Sequence, residues 1–165
     1  MEFQIRDATW SDNPAILSIV NHAILNTTAI YDYDPRTPEM QQQWFDTKMA
    51  AGDPVIVAEF NSEVVGFGTF SQFRPKKGYS HTVEHSVYVS SQFFGNGAGK
   101  LIVRRLIEIA KTRDHHIMIG VIDAANSGSI EFHKKNGFTE CGIIREAGYK
   151  FGRWLDVLIM QLKLS

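Results

Sequence analysis

Three glycines fall within five positions in Gly95-Asn96-Gly97-Ala98-Gly99, followed by Lys100, between an apolar strand and a helix with one apolar face. This strand, turn and helix junction constrains the fold more than any other stretch. Small residues let consecutive backbone N–H groups converge, and the start of a helix adds favourable partial charge, so the junction suits a phosphate group. A tight connection without a ligand is the plainer alternative. Two familiar nucleotide loops do not fit. A nucleoside-triphosphate loop needs glycine at position 94 and Ser or Thr after Gly99-Lys100, where the chain has Phe94 and Leu101. A dinucleotide fingerprint needs its third glycine three residues after the second, yet Gly97 is followed by Gly99 and then Lys100. A different pyrophosphate-bearing cofactor remains.

Hydrophobic periodicity supplies the elements around that junction. Phe3 and Ile5 alternate in a first strand ending at Asp7 to Thr9. Ser11 or Asp12 can cap a helix with Pro14 in its first turn and Ile16, Ile19, Val20, Ala23 and Ile24 on one face. Thr37-Pro38 starts a second helix carrying Met40, Trp44, Phe45 and Lys48, which Gly52-Asp53-Pro54 stops. Val55–Phe60 and Val64–Phe73 form an antiparallel hairpin about a turn at Asn61 to Glu63, with Gly66 and Gly68 permitting a bend or a close approach. Thr82 to Val89 is the next strand. Its period of two puts Val83, His85, Val87 and Val89 on one face and Thr82, Glu84, Ser86 and Tyr88 on the other.

After the glycine turn, Ile102, Leu106, Ile109 and Ala110 recur at helical spacing. Ile117 to Ile122 suits a centrally buried strand. Asn126 or Ser127 begins another helix, and Asn136-Gly137 ends it. Phe138–Ile144 and Trp154–Leu164 are the last strands, joined through a Gly148/Gly152 turn region. The order predicts a mixed α/β fold, one sheet flanked by helices, and disfavours regular double winding because the middle and the end carry hairpin-like pairings. No linker or repeat divides residues 1–165, so one domain is expected.

Composition removes several classes of function. With 17 Lys and Arg against 18 Asp and Glu, the net charge of −1 is no polycation's, and nucleic acid is not the expected partner. No run approaches the roughly 18 apolar residues of a membrane span, nor does the N-terminus carry a basic segment followed by an apolar core. A cytoplasmic location is expected. Cys141 is the single cysteine, read as a small buried residue near a strand. The histidines lack metal-ligand spacing, His115-His116 included, so no metal is expected.

The acidic and aromatic residues suggest chemistry. Glu84 lies on the strand just before the glycine turn, on the face shared with Tyr88; an ordinary strand-edge acid is the alternative. Tyr31, Arg74, Tyr79, Tyr149 and Trp154 can line an acceptor pocket, the aromatics enclosing an apolar stem and the arginine pairing with a carboxylate. The segment Ala29 to Arg36, with Tyr31 and Tyr33, is either an ordered loop over that pocket or a connection with half-buried rings.

Tyr88-Val89, the run Phe94 to Gly99, Leu101 and the run Asn126 to Phe138 together resemble the two cofactor motifs of the GNAT acyltransferase superfamily. Glu84 to Ser90, His133 and Ala147 to Val157 resemble its phosphinothricin and methionine-sulfone acetyltransferase-like branch, and Ile19 to His22 with Thr37 to Trp44 extend the likeness over nearly the whole chain. The resemblance implies a GNAT acyl-CoA N-acyltransferase fold with a splayed central sheet, and acetyl-CoA bound where two parallel strands part. It implies cofactor contacts from Val87, Tyr88, Val89, Phe94, Gly95, Asn96, Gly97, Ala98, Gly99 and Lys100, with Asn126 and Ser129 on the other side. Phe94 and Gly95 depart from the family pattern, which has a glutamine or arginine at the first position and commonly an arginine next; backbone donors are then left to hold the pyrophosphate. Glu84 matches the family's base position. His133 stands where many relatives have tyrosine and is a candidate acid for the leaving thiol. A small amino-acid-like amine, such as methionine sulfone, methionine sulfoximine or phosphinothricin, is the implied substrate, and a homodimer the implied assembly. A polyamine, an antibiotic or a protein N-terminus is the alternative acceptor, and a non-catalytic CoA-binding module the alternative to an enzyme.

Overall fold

A computed structural model describes all 165 residues. Its elements are β1 (Gln4–Asp7), α1 (Asn13–Asn26), α2 (Pro38–Ala51), β2 (Val55–Phe60), β3 (Glu63–Gln72), β4 (Thr82–Val89), α3 (Ala98–Thr112), β5 (Ile117–Asp123), α4 (Ser127–Lys135), β6 (Thr139–Lys150) and β7 (Arg153–Lys163). The seven strands form one sheet in the order β1-β2-β3-β4-β5-β7-β6. Every neighbouring pair is antiparallel except β4 and β5. The mixed α/β architecture expected from the sequence is the one observed.

Alternation along β2 explains the layers. Ile56 and Ala58 point to one face and join Ile102, Val103, Leu106 and Ala110 of α3; Val55 and Val57 point to the other and join Ile16, Ile19, Val20 and Ile24 of α1 with Phe45 of α2. Burying such a side chain contributes about 1.5–3 kcal/mol. On the first face Gly68 lets α3 come close: a Cβ there would lie 3.0 Å from Leu106 Cδ1 and nearer still to Ile102. The close approach anticipated for this glycine is what it provides.

Several local expectations change. Asp12 holds the N-cap position of α1 without capping it through its side chain; the carboxylate instead accepts from the Thr9 N–H at 2.7 Å and from the Arg6 guanidinium. In α2 the buried residues are Gln41 and Phe45, whereas Met40 is exposed, because the helix packs on α1 through Gln41, whose amide donates to Asn13 Oδ1 at 3.2 Å. β5 holds an inner place in the sheet, but Val121 is exposed, so its burial is partial. β6 runs on past Ile144 to Lys150, so Gly148 lies inside the strand and Phe151-Gly152 alone make the turn. Cys141 is exposed rather than buried, since β6 is the edge strand and bulges beside it, between Glu140 and Gly142.

Candidate active site

The site grows from the one parallel pairing. β4 and β5 are in register at Thr82 with Ile117, Val83 with Met118 and Glu84 with Ile119, and there the ladder stops, although both strands continue. Beyond Glu84 they part and leave a cleft of about 110 Å³. Its walls are Ser86, Val87 and Tyr88 from β4, Gly120 to Asp123 from β5, and Asn126, Ser129, Phe132 and His133 from or just before α4. Ala29 and His85 complete the lining.

The glycine turn follows β4 after one 3-10 turn, Ser91–Phe93. Gly95 (φ 77°) and Gly97 (φ 97°) adopt the left-handed region that side chains disfavour. A Cβ at either would meet nothing within 4 Å, so space is open above the turn. The first helical bond of α3 is Leu101 N–H to Gly97 O at 3.2 Å, which leaves the N–H groups of Ala98, Gly99 and Lys100 in the unpaired first turn. Phe94 is 63% exposed. Residues Phe94 to Lys100 do not line the cleft itself; Gly99 reaches it through Phe132, whose ring would stand 3.5 Å from a Cβ at that glycine. An open cradle with spare backbone donors beside a narrow cleft fits a pyrophosphate carrying an extended arm. Opposite, Asn126 accepts from the Ser129 N–H at 3.0 Å through its Oδ1, capping α4, and lines the cleft.

Glu84 sits at the root of the splay, half-buried, paired with Ser71 of the neighbouring β3. Burial raises its carboxyl above the usual carboxylate range, and the charges of Arg74 and Lys48 draw it back. Lys48 of α2 belongs to a small network: its Nζ donates to Ser71 Oγ, and Ser71 Oγ donates to Asp53 Oδ2 at 2.8 Å. Burial lowers the Lys48 ammonium while Asp53 and Glu84 support its charge. Tyr88, farther along the same face of β4, packs on Phe67 with ring centroids 5.4 Å apart, and burial raises its hydroxyl.

His133 lies on the other face of β4. It is buried, its Nδ1 sits 2.7 Å from the Ser129 carbonyl, and its Nε2 is 3.1 Å from Nε2 of His85. Glu84 and His133 therefore lie on opposite faces of the sheet; His133 lines the cleft, whereas Glu84 stands at the last paired position before it. His85 was not anticipated. Alternation assigns it to the face away from Glu84, and only the packing of α4 reveals what occupies that face.

The acceptor candidates fall into two groups. Arg74 and Tyr79 gather on Phe73, the guanidinium 5.1 Å from its ring and Tyr79 5.7 Å, near the end of β4 where Glu84 feels the Arg74 charge. Tyr31, Tyr149 and Trp154 form the second group, at the β6–β7 hairpin. Tyr149 and Trp154 have ring centroids 4.9 Å apart, and Tyr31 packs on Gly148. Here hydrogen bonds tie the segment Ala29 to Arg36 to the β6–β7 hairpin. Tyr33 OH donates to Tyr149 O, and Lys150, 3% exposed, donates to the carbonyls of Ile24 (2.6 Å), Thr27 (2.8 Å) and Ile30. Three ammonium protons meet three carbonyls, which ties the loop to the β6–β7 hairpin. Lys48 and Lys150 were also missed, since both act through contacts distant in sequence.

Comparison with known proteins follows the same lines. Residues 19–138 match the family described as Acetyltransferase (GNAT) family. The L-methionine sulfoximine/L-methionine sulfone acetyltransferase of Pseudomonas aeruginosa is 42% identical over 166 residues, covering 100% of this chain and 96% of that protein. A putative acetyltransferase from Salmonella typhimurium, solved with its cofactor acetyl-CoA, superposes with a TM-score of 0.95 at 39% identity, covering 99% of this chain and 94% of that one. A structure from Brucella melitensis described as a ribosomal-protein-alanine N-acetyltransferase superposes equally well, at 0.95 and 44% identity, covering 97% and 99%.

Proposed function

This chain belongs to the Acetyltransferase (GNAT) family and is an N-acetyltransferase, and from that premise we propose that it acetylates the amine of a small amino-acid-like substrate with acetyl-CoA. The observation that carries this reading is the parting of β4 and β5 immediately after the Glu84–Ile119 pair, which sets a half-buried carboxylate at the root of an open cleft. Acetyl-CoA, when bound, supplies an acetyl group already activated as a thioester. The first-turn N–H groups of α3 with Gly95 and Gly97 would hold its pyrophosphate, and Val87 to Val89, Asn126 and Ser129 would flank its arm.

Glu84 does the acid–base work in this reading. An ammonium has no lone pair, so its proton must leave before nitrogen can attack; the Glu84 carboxylate takes it directly or through one water. Its raised proton affinity, from burial, brings it closer to that of the amine and makes it a better base. The charges of Arg74 and Lys48 favour its ionised form. His133 holds a proton for the departing side. The substrate's carboxylate or oxidised head group pairs with Arg74, beside Glu84, while Tyr31, Tyr149 and Trp154 form an aromatic wall.

One finding favours a second acceptor class, a protein N-terminus: the similarity to the Brucella melitensis enzyme. The Arg74 charge near Glu84 argues for the small substrate, because a guanidinium beside the base can pair with the carboxylate of an amino acid. We also propose a homodimer. Trp154 is 63% exposed, and Ile143 and Ile144 on the edge strand are exposed as well, an apolar surface suited to a second copy; light scattering at micromolar concentration should give twice the 18.6 kDa chain mass. No helix is long and apolar enough to cross a membrane, and we take the enzyme to work in the cytoplasm. The function is tested by incubating the protein and acetyl-CoA with methionine sulfone, methionine sulfoximine, phosphinothricin, a polyamine and an alanine-terminated peptide, following thiol release and N-acetyl product by mass. Turnover of the first three above the last two supports the proposal. Turnover of the peptide alone supports the rival, and thiol release from none overturns both.

A further inference from the structure

The two buried imidazoles present a proton-counting problem. His85 Nδ1 lies 3.0 Å from the carbonyl of Ile119, and His133 Nδ1 lies 2.7 Å from the carbonyl of Ser129. A carbonyl oxygen only accepts, so each Nδ1 must carry hydrogen. In two neutral rings each Nε2 would then be a bare lone pair, and these two atoms face one another at 3.1 Å. Two acceptors at that distance repel, and neither has another partner. One additional proton between them converts the repulsion into an N–H···N hydrogen bond and satisfies all four ring nitrogens. A second would put two imidazolium cations in contact.

The enclosure is built for this pair. His85 is 6% and His133 7% exposed. Phe138 covers both, its ring centroid 5.2 Å from each. Gly120 makes room on the β5 side: a Cβ there would lie 3.1 Å from His85 Cε1 and 3.2 Å from His133 Nε2. Phe70 stands opposite His85 on β3. The titratable groups that also line the cleft are Tyr88 and Asp123, the latter bonded to Thr28; the remaining charges of α4, Glu131, Lys134 and Lys135, are exposed. No carboxylate contacts either ring, so each ring is the other's sole ionisable partner.

We propose that His85 and His133 bind one proton between their Nε2 atoms, and that His85 is thereby a positioning residue which keeps His133 oriented and protonated at the wall of the cleft. Burial holds His85 down to about 4 and lowers His133 too, so neither ring keeps a proton by itself; the shared bond is what one proton gains by lying between them. The pair takes up a single proton from solvent and releases a single proton, leaving two neutral rings. Its role in turnover rests on the reading of His133 as a proton donor, whereas its protonation does not.

The test separates the two. Nitrogen-15 spectra of the histidine side chains, recorded on the protein without substrate at neutral pH, should give both Nδ1 atoms as protonated and the two Nε2 atoms as sharing one proton. In His85→Gln, whose amide can donate to His133, the His133 Nε2 should become bare. His85→Asn, which retains a donor for the Ile119 carbonyl, serves if the glutamine variant folds poorly. In the acetyl-transfer assay the basic limb of kcat should move to lower pH and kcat at pH 8 fall by roughly 10- to 100-fold, no more than general acid–base assistance supplies, with KM for acetyl-CoA within about twofold. Two bare Nε2 signals in the wild-type protein at neutral pH overturn the shared proton, whether or not the protein acetylates amines. A shared proton with an unchanged pH profile in both variants overturns the positioning role alone. Absence of any transfer by the wild-type protein overturns the functional reading and leaves the spectra to decide the pair.

Discussion

The ring of Tyr31 packs directly on the α-carbon of Gly148: a Cβ at that position would come within 2.7 Å of Tyr31 Cζ and closer to the ring's edge. The glycine is thus a seat for an aromatic side chain contributed from more than a hundred residues away. Gly148→Ala should displace the ring, costing about 1–3 kcal/mol of stability by overpacking and loosening the aromatic wall. KM for the amine is expected to rise about tenfold, equivalent to about 1.4 kcal/mol. Acetyl-CoA affinity should hold, because neither residue lines the β4–β5 cleft. Steady-state kinetics with each substrate varied in turn checks this, and an unchanged amine KM would detach Tyr31 from the acceptor site.

At the other pole, Gly97 combines a φ of 97° with open space where a Cβ would stand. Gly97→Val should cost about 1–3 kcal/mol through backbone strain and fill the cradle assigned to the pyrophosphate. Calorimetric titration is expected to give at least a tenfold loss of acetyl-CoA affinity, about 1.4 kcal/mol. Native affinity in this variant would move the pyrophosphate elsewhere.

These two glycines mark what the sequence made legible and what it did not. Gly97 announced itself, because a run of small residues between an apolar strand and an apolar-faced helix is a local pattern. So did the strands and helices, whose periods of two and of about 3.6 are fixed by the backbone, and Glu84, which alternation puts on the face of Tyr88. Gly148 was misread as a turn, since its purpose lies in a ring from the α1–α2 loop. Lys150 falls in the expected Gly148/Gly152 turn region, and its role appears only when its ammonium is found among three carbonyls of a segment 120 to 126 residues earlier. His85 and His133 are 48 residues apart, and nothing in the spacing of either indicates the other. Pairings of this kind are fixed by how elements pack, and a single chain's pattern carries no record of them.

Acid stability offers a check on the entrance to α1. Arg6 grips Asp12 with two hydrogen bonds of 2.8 and 2.9 Å and reaches Glu59 as well. The Arg6 hydrogen bond holds the Asp12 carboxyl below the usual carboxylate range, against the effect of burial. With its folded value depressed, Asp12 contributes stability that is fully present above its unfolded value near 3.8 and is lost as pH falls through the folded value. Arg6→Ala should cost about 2–3 kcal/mol at pH 7, the scale of hydrogen bonds to a charged group. The difference from wild type should shrink toward pH 2, as protonation removes the carboxylate's charge. Urea unfolding at the two pH values measures it; an equal gap at both would mean that the loss comes from packing and not from the ion pair.

Glu84 is the hinge of the functional account, and the replacement that removes its basicity while keeping its shape is glutamine. The informative measurement is kcat and kcat/KM against pH for wild type and Glu84→Gln with the best amine from the substrate panel, acetyl-CoA affinity being measured separately. Burial raises the Glu84 carboxyl, so wild-type activity should fall on an acidic limb lying above the ordinary carboxylate range, as the base is lost to protonation. In the variant kcat should drop on the order of 10² to 10⁴, that limb should vanish, and acetyl-CoA affinity should be nearly unchanged. A near-native kcat with the acidic limb intact would contradict the assignment of Glu84 as the base.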